Sequence, residues 1–236
     1  MSQDNYQKST LKFGIYSSLS LSISTIITWG FAMIAVPPAG PYCPENCMVY
    51  PYPDILSYYP RDYYWMYLSI FQLFAYIIFI TTNHVIASSR KKLYSYISCA
   101  FALISTTVLL ISYYTQFSVV PISVMKGETE GIALITQYNG HGIFIAMEEL
   151  GYITMSISFF FLAFLFSIKN RLEKSIRILL TMPLLITILA FTLYSIMYGI
   201  DRDYRFEVVT LSINWLVTIA VGILISIYLK RKMKII

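Results

Sequence analysis

Six stretches of this 236-residue chain each run for more than 20 residues with almost no charge. A helix rises about 1.5 Å per residue, so about 20 apolar residues cross a hydrocarbon layer of about 30 Å. The stretches are Phe13–Val36, Tyr63–Ser88, Leu93–Val120, Ile143–Ile168, Ile178–Ile200 and Val208–Leu229. Five contain no charged residue, and the fourth contains Glu148 and Glu149. The expected fold is all-α: a polytopic membrane protein with six transmembrane helices, forming a single domain over residues 1–236. An outer cap loop at 37–61 and a second outer loop at 121–142 complete it.

Composition closes off the alternatives. Apolar residues make up 57% of the chain and charged residues 12%, about half the charge of an ordinary soluble domain. That is too little to cover a soluble surface, and disorder needs the opposite balance.

The charges also segregate. Lys8 and Lys12, Arg90 to Lys92, Lys169 to Arg177, and Lys230 to Lys234 place 13 of the 17 basic residues on one side of the expected spans. Basic residues accumulate on the cytoplasmic side, so both termini are predicted to be cytoplasmic, in a plasma membrane. The net charge of +5 then reflects topology and lipid contact, and no nucleic-acid partner is expected. The outer side is acidic and collects 13 of the 21 tyrosines. An interfacial aromatic belt is the ordinary reading of these rings, and an aromatic-lined pocket is the sharper one.

Phe13–Val36 is longer than a 7–15-residue signal core, and Pro37-Pro38 follows where small residues would be cleaved, so it is expected to stay as a span. Ser20, Ser24 and Thr28 read as a small-residue packing stripe. Seven of the nine prolines lie in the cap loop, which predicts an ordered, non-helical path. Cys43 and Cys47, with three residues between them in that loop, favour a structural disulfide. Free thiols, a redox role or a metal role are the alternatives. Cys99 reads as a packing residue. In the second loop, the short apolar run 132–138 is expected to lie in the interface or to re-enter the bilayer.

Glu148 and Glu149 carry the strongest local signal. An ionisable residue at a bilayer centre costs roughly 2.5–3.5 kcal/mol, so both are expected to face protein or water. They lie about 8–9 Å in from Ile143, or about 14–15 Å in from Asn139. Neighbouring helical residues point about 100° apart, so each carboxylate should have its own partners. If His141 is helical, it forms a polar edge with Glu148 and Tyr152 suited to moving protons or a cation; an unwound Gly140–Gly142 breaks that edge. Gln72, Gln116 and Asn214 fall at similar depth. They are expected either to line an outward-opening cavity or to hydrogen-bond between helices. His84, beside Asn83 at the inner end of the second span, reads as a solvated interfacial residue.

The Glu-Glu pair superficially resembles the di-glutamate motif of the CAAX-type intramembrane proteases. It lacks that family's nearby downstream arginine, since Leu150-Gly151-Tyr152-Ile153 follows, and no histidine occurs after His141. His-Glu-x-x-His, a phosphate-binding glycine loop and Gly-x-Ser-x-Gly are absent as well. No metal site and no cofactor are expected. The leading expectation is binding or transport of a small solute, cationic or amphipathic, or of protons, at Glu148/Glu149. A membrane enzyme acting on a lipid or isoprenoid is the alternative, and a structural or accessory subunit the second alternative. The expected partners are the lipid bilayer, a small-molecule or lipid ligand, and a second copy or partner subunit.

Overall fold

The computed structural model describes residues 3–35 and 39–235. Six helices among these are long and apolar enough to cross a membrane, and no strand occurs among the described residues. They are α1 (Gln3–Ala32), α2 (Tyr64–Ile86), α3 (Lys92–Ser118), α6 (Ile143–Ala163), α7 (Arg171–Tyr198) and α8 (Tyr204–Met233). Two short helices, α4 (Val120–Met125) and α5 (Ile132–Ile135), belong to the second outer loop. Val36 and Pro37-Pro38, on which the end of the first span was placed, lie outside the described residues.

Each long helix packs against its neighbours in sequence, and α8 returns to α1, so the six form a closed ring; α6 also touches α8 across it. Serine and threonine hydroxyls inside the helices donate back one turn, as Ser18 does to Gly14 O at 2.7 Å and Thr25 to Leu21 O at 2.8 Å. This satisfies the hydroxyl without a solvent partner. The packing stripe of α1 is Gly14, Ser18, Ser22 and Thr25, all buried, instead of the expected Ser20, Ser24 and Thr28, of which only Thr28 is buried. Ser22 donates to Ile219 O on α8 at 2.9 Å. A Cβ at Gly222 would run into Ser22 and the Ser18 carbonyl, so glycine is what lets α8 approach α1. Asn170 starts α7 by accepting the Leu172 N–H at 2.9 Å.

The basic clusters meet at one end of the ring, where Lys91 Nζ donates to Leu165 O at 2.6 Å across the α2–α3 and α6–α7 connections. At the other end the two outer loops pack on each other. Ala39, Met48, Tyr52 and Ile55 of the first loop form one buried cluster with Val120, Ile132, Ala133 and Tyr138 of the second. Cys43 and Cys47 are joined, with S–S at 2.12 Å. The run 132–138 makes one helical turn, Ile132–Ile135, and Ile132, Ala133 and Tyr138 pack into this cluster between the two loops while Leu134 stays exposed.

Candidate functional site

Helix α6 begins at Ile143 with Gly142 in extended backbone ahead of it. Its sixth residue, Glu148, points into the ring and is 2% exposed. A buried carboxylate needs donors, and a directed chain supplies them. Tyr113 on α3 donates its hydroxyl to Glu148 Oε1 at 2.8 Å. Its single phenol proton is thereby committed, so Tyr152 is the donor in the 2.8 Å contact between the two hydroxyls. Trp215 Nε1 on α8 donates in turn to the Tyr152 hydroxyl at 3.0 Å. Trp215, Tyr152 and Tyr113 thus all point their protons toward Glu148.

Above this chain lies a cavity of about 220 Å³. Its acidic lining is Asp62, Glu148 and Glu207, and its aromatic lining includes Trp65, Trp215, Tyr138, Tyr204 and Phe144. Among the described residues, no lysine, arginine or histidine lines it. Asp62 is held by Arg61 Nε at 2.6 Å through Oδ1, while Oδ2 is buried and accepts no hydrogen bond. Trp215 stands edge-on to both Trp29 and Trp65, with ring centroids 6.1 and 6.3 Å away, which fixes its indole over the cavity floor. Below the floor, Phe79, Phe159, Leu162 and Ile225 are fully buried, and the ring is filled with side chains.

The cavity roof belongs to the loops. Tyr204 donates to Gln137 O at 3.1 Å, and a Cβ at Gly40 would collide with the Tyr204 ring, so the cap sits directly on it. Burial pushes the Tyr138 phenol up and raises the Asp203 carboxyl above the ordinary carboxylate range.

The structure divides the residues expected at this site. Glu148 and Tyr152 come together through Tyr113. Glu149 points elsewhere, as the 100° step requires: its carboxylate lies 3.8 Å from Arg202, whose guanidinium stacks over Phe191. His141 is not helical; its backbone N–H donates to Asn139 Oδ1 in a turn, and its side chain is exposed, so the polar edge from His141 to Glu148 does not form. Gln72, Gln116 and Asn214 are buried but none lines the cavity. Gln116 ties down the second loop, donating to Ile135 O at 2.5 Å and accepting from Gln137 N at 2.9 Å. Asn214 joins α8 to α6 through Tyr152 O at 3.2 Å and the Ser156 hydroxyl at 2.9 Å. Gln116 and Asn214 thus act as ties, one to the second loop and one between long helices. At the inner end His84 Nδ1 lies 2.8 Å from the Ser95 hydroxyl.

Two acidic liners were missed as site residues. Asp62 and Glu207 look like outer-loop charges in the sequence, but they are 2% and 6% exposed. For Glu207 a signal was present: it lies seven residues before Asn214, two turns up the same helix face. For Asp62 there was none, because its burial depends on the cap folding over it. Trp215 and Trp65 carried no positional signal beyond their type.

No protein-family model matches the chain, and no curated protein and no solved structure is significantly similar to it. The functional reading therefore rests on this geometry.

Proposed function

We propose that the protein is an integral membrane protein with both termini in the cytoplasm, and that its outer-half cavity binds and transports a small organic cation. The observation that carries this reading is the lining itself. Three carboxyl groups and several aromatic faces converge on about 220 Å³ that no basic side chain enters. Carboxylates gathered away from water repel one another, and although Arg61 holds Asp62 and Tyr113 donates to Glu148, no basic side chain among the described residues pairs with Glu148 or Glu207. A cation relieves that repulsion, and the aromatic rings attract it further through their electron-rich faces. The volume is below the about 300–1,000 Å³ of drug-sized pockets, which favours a small amine or quaternary ammonium.

The chain Trp215, Tyr152, Tyr113, Glu148 positions the carboxylate that meets the cation. The packed inner half gives the alternating-access requirement a definite form: the floor at Trp215 and Tyr152 must part for the solute to pass inward. Membrane insertion is supported by the apolar side chains that α7 leaves uncovered, among them Leu185, Ile188, Leu189 and Ile196, each more than half exposed. The cytoplasmic assignment of the termini follows from the basic clusters gathered at that end. Glu148 turned inward and Glu149 facing Arg202 favour solute binding over an accessory subunit, whose carboxylates would face outward to a partner.

Thermal unfolding of the purified protein against small ammonium ions, with uncharged and anionic analogues of the same size, tests the reading. Ammonium ions alone should raise the unfolding temperature, and both Glu148→Gln and Glu207→Gln should abolish the rise. Equal response to the uncharged analogues removes the proposal.

A further inference from the structure

At the opposite end of the ring a second pocket of about 150 Å³ lies where α2, α6, α7 and α8 finish or begin. Its polar lining is Asn83, Ser88, Lys91, Glu173, Tyr228 and Lys232. Three of these are fixed by the fold: Lys91 through Leu165 O, Glu173 by accepting the Ser167 N–H at 2.8 Å, and Asn83 by donating to Phe79 O at 2.9 Å. The Lys232 ammonium makes no hydrogen bond or ion pair among the described residues, although it lines the pocket. Lys91 and Lys232 against Glu173 leave the pocket one net positive charge. Arg90, Lys92, Lys230 and Arg231 flank it in sequence and deepen that potential.

The pocket continues into a trough. A cavity of about 500 Å³ shares Ile86, Ala87 and Lys232 with it, and one of about 430 Å³ shares Tyr6, Thr10 and Val85 with that cavity. The trough runs between α1 and α2 toward Phe13 and Thr81, and Tyr6, Phe13 and Val85 are each more than half exposed along it. A basic, partly polar pocket thus opens through Lys232 into an apolar groove on the outer surface of the ring. From Ile86 to Thr81 the groove follows α2 for about 7.5 Å, about a turn and a half of helix.

We propose that this end holds an anionic glycerophospholipid of the cytoplasmic leaflet, its phosphodiester between Lys91 and Lys232 and an acyl chain in the α1/α2 trough. The proposal rests on the membrane reading above but not on the cation cavity. The charge decides the class of headgroup: one net positive charge matches a phosphodiester of one negative charge, and the surrounding basic residues repel a choline or other quaternary head. The shape decides the source, because free phosphate uses the pocket and leaves the trough empty. Basic pockets between spans on the cytoplasmic side are where lipid headgroups are recognised in general.

The test is thermal unfolding of the full chain in mild detergent with added phosphatidylglycerol, phosphatidylcholine of the same chains, or inorganic phosphate. Phosphatidylglycerol should raise the unfolding temperature by about 2–4 °C, a shift that is readily resolved for a chain of this size. Lys232→Gln should lose at least half of that rise. Val85→Trp, which fills the trough at an exposed position, should lose it too while leaving the pocket charges in place. An equal rise with phosphatidylcholine overturns the headgroup assignment, an equal rise with inorganic phosphate overturns the lipid, and a full rise in both variants overturns the site.

Discussion

The two halves of the ring are built from the same helices and behave as different materials. The middle of the inner half is filled: Phe79, Phe159, Leu162 and Ile225 have no detectable exposure, and hydroxyls there find partners, as Ser158 does at Ser98 O at 2.8 Å, although the Tyr76 hydroxyl is buried without one. The outer half is hollow. Its carboxylates and aromatic rings surround empty space, and it needs a cap and a disulfide to close it. A bundle optimised for stability would have filled both halves alike. On the proposed reading, the outer half gives up packing in order to hold a solute, while the inner half supplies the rigidity that keeps Glu148 and its hydrogen-bond chain in place.

This contrast can be broken from either side. The largest effect is expected in the inner half: Phe159→Ala should destabilise by about 3–5 kcal/mol, because a close-packed wall cannot collapse into the void. Unfolding in denaturing detergent would measure it, and a cost near zero would mean that the inner half is as loose as the outer. Reduction of Cys43–Cys47 should cost about 2 kcal/mol, the chain-entropy value for so short a loop, and should act on the cap alone. Thermal unfolding with and without reductant reads the cost, and hydrogen exchange should rise in the cap and not in the inner helices. Gln116→Ala should cost about 1–2 kcal/mol, since it leaves Ile135 O and Gln137 N–H without their partner. Faster amide exchange at residues 135–137 is its signature. The smallest effect belongs to Glu149→Gln, about 1 kcal/mol or less, because its pair with Arg202 is long and partly solvated. Glu149→Gln should also leave solute binding unchanged, which separates it from its neighbour.

Much of the architecture was legible before any coordinates. Six runs of 22 to 28 residues, five uncharged and one holding only Glu148 and Glu149, admit only helices of roughly the observed extent, and two cysteines with three residues between them in a proline-rich loop favoured the disulfide over free thiols. What was legible of the site was Glu148, because a charge inside an apolar run has to be accounted for, and the divergence of Glu149, because helix geometry requires it. The failures have physical reasons. His141 fell out of line because the Asn139 side chain accepts its N–H in a turn and Gly142 is extended, so the chain is not helical until Ile143. Gln72, Gln116 and Asn214 have the polarity of cavity liners, yet an amide can satisfy itself against a backbone carbonyl two helices away, and sequence does not distinguish the two uses. Asp62 and Glu207 looked like loop charges because the cap that buries them is assembled from two segments about 80 residues apart in the chain. Ser20 and Ser24 were misread because several faces of α1 carry hydroxyls, and spacing alone does not choose among them.

The central claim, that Glu148 is the carboxylate that meets a cation in the outer cavity, has a built-in reporter. Two of the chain's three tryptophans, Trp65 and Trp215, line the cavity, and the third, Trp29, stands against Trp215. Titration of intrinsic fluorescence with a small quaternary ammonium ion is therefore the most direct measurement. Glutamine at position 148 keeps the acceptor for the Tyr113 hydroxyl and removes only the charge, so the fold should be preserved. The account predicts saturable quenching in the natural protein, at least tenfold weaker binding in Glu148→Gln, which is about 1.4 kcal/mol, and an unaltered titration in Glu149→Gln. Equal binding by the natural protein and Glu148→Gln, or a loss confined to Glu149→Gln, would contradict it.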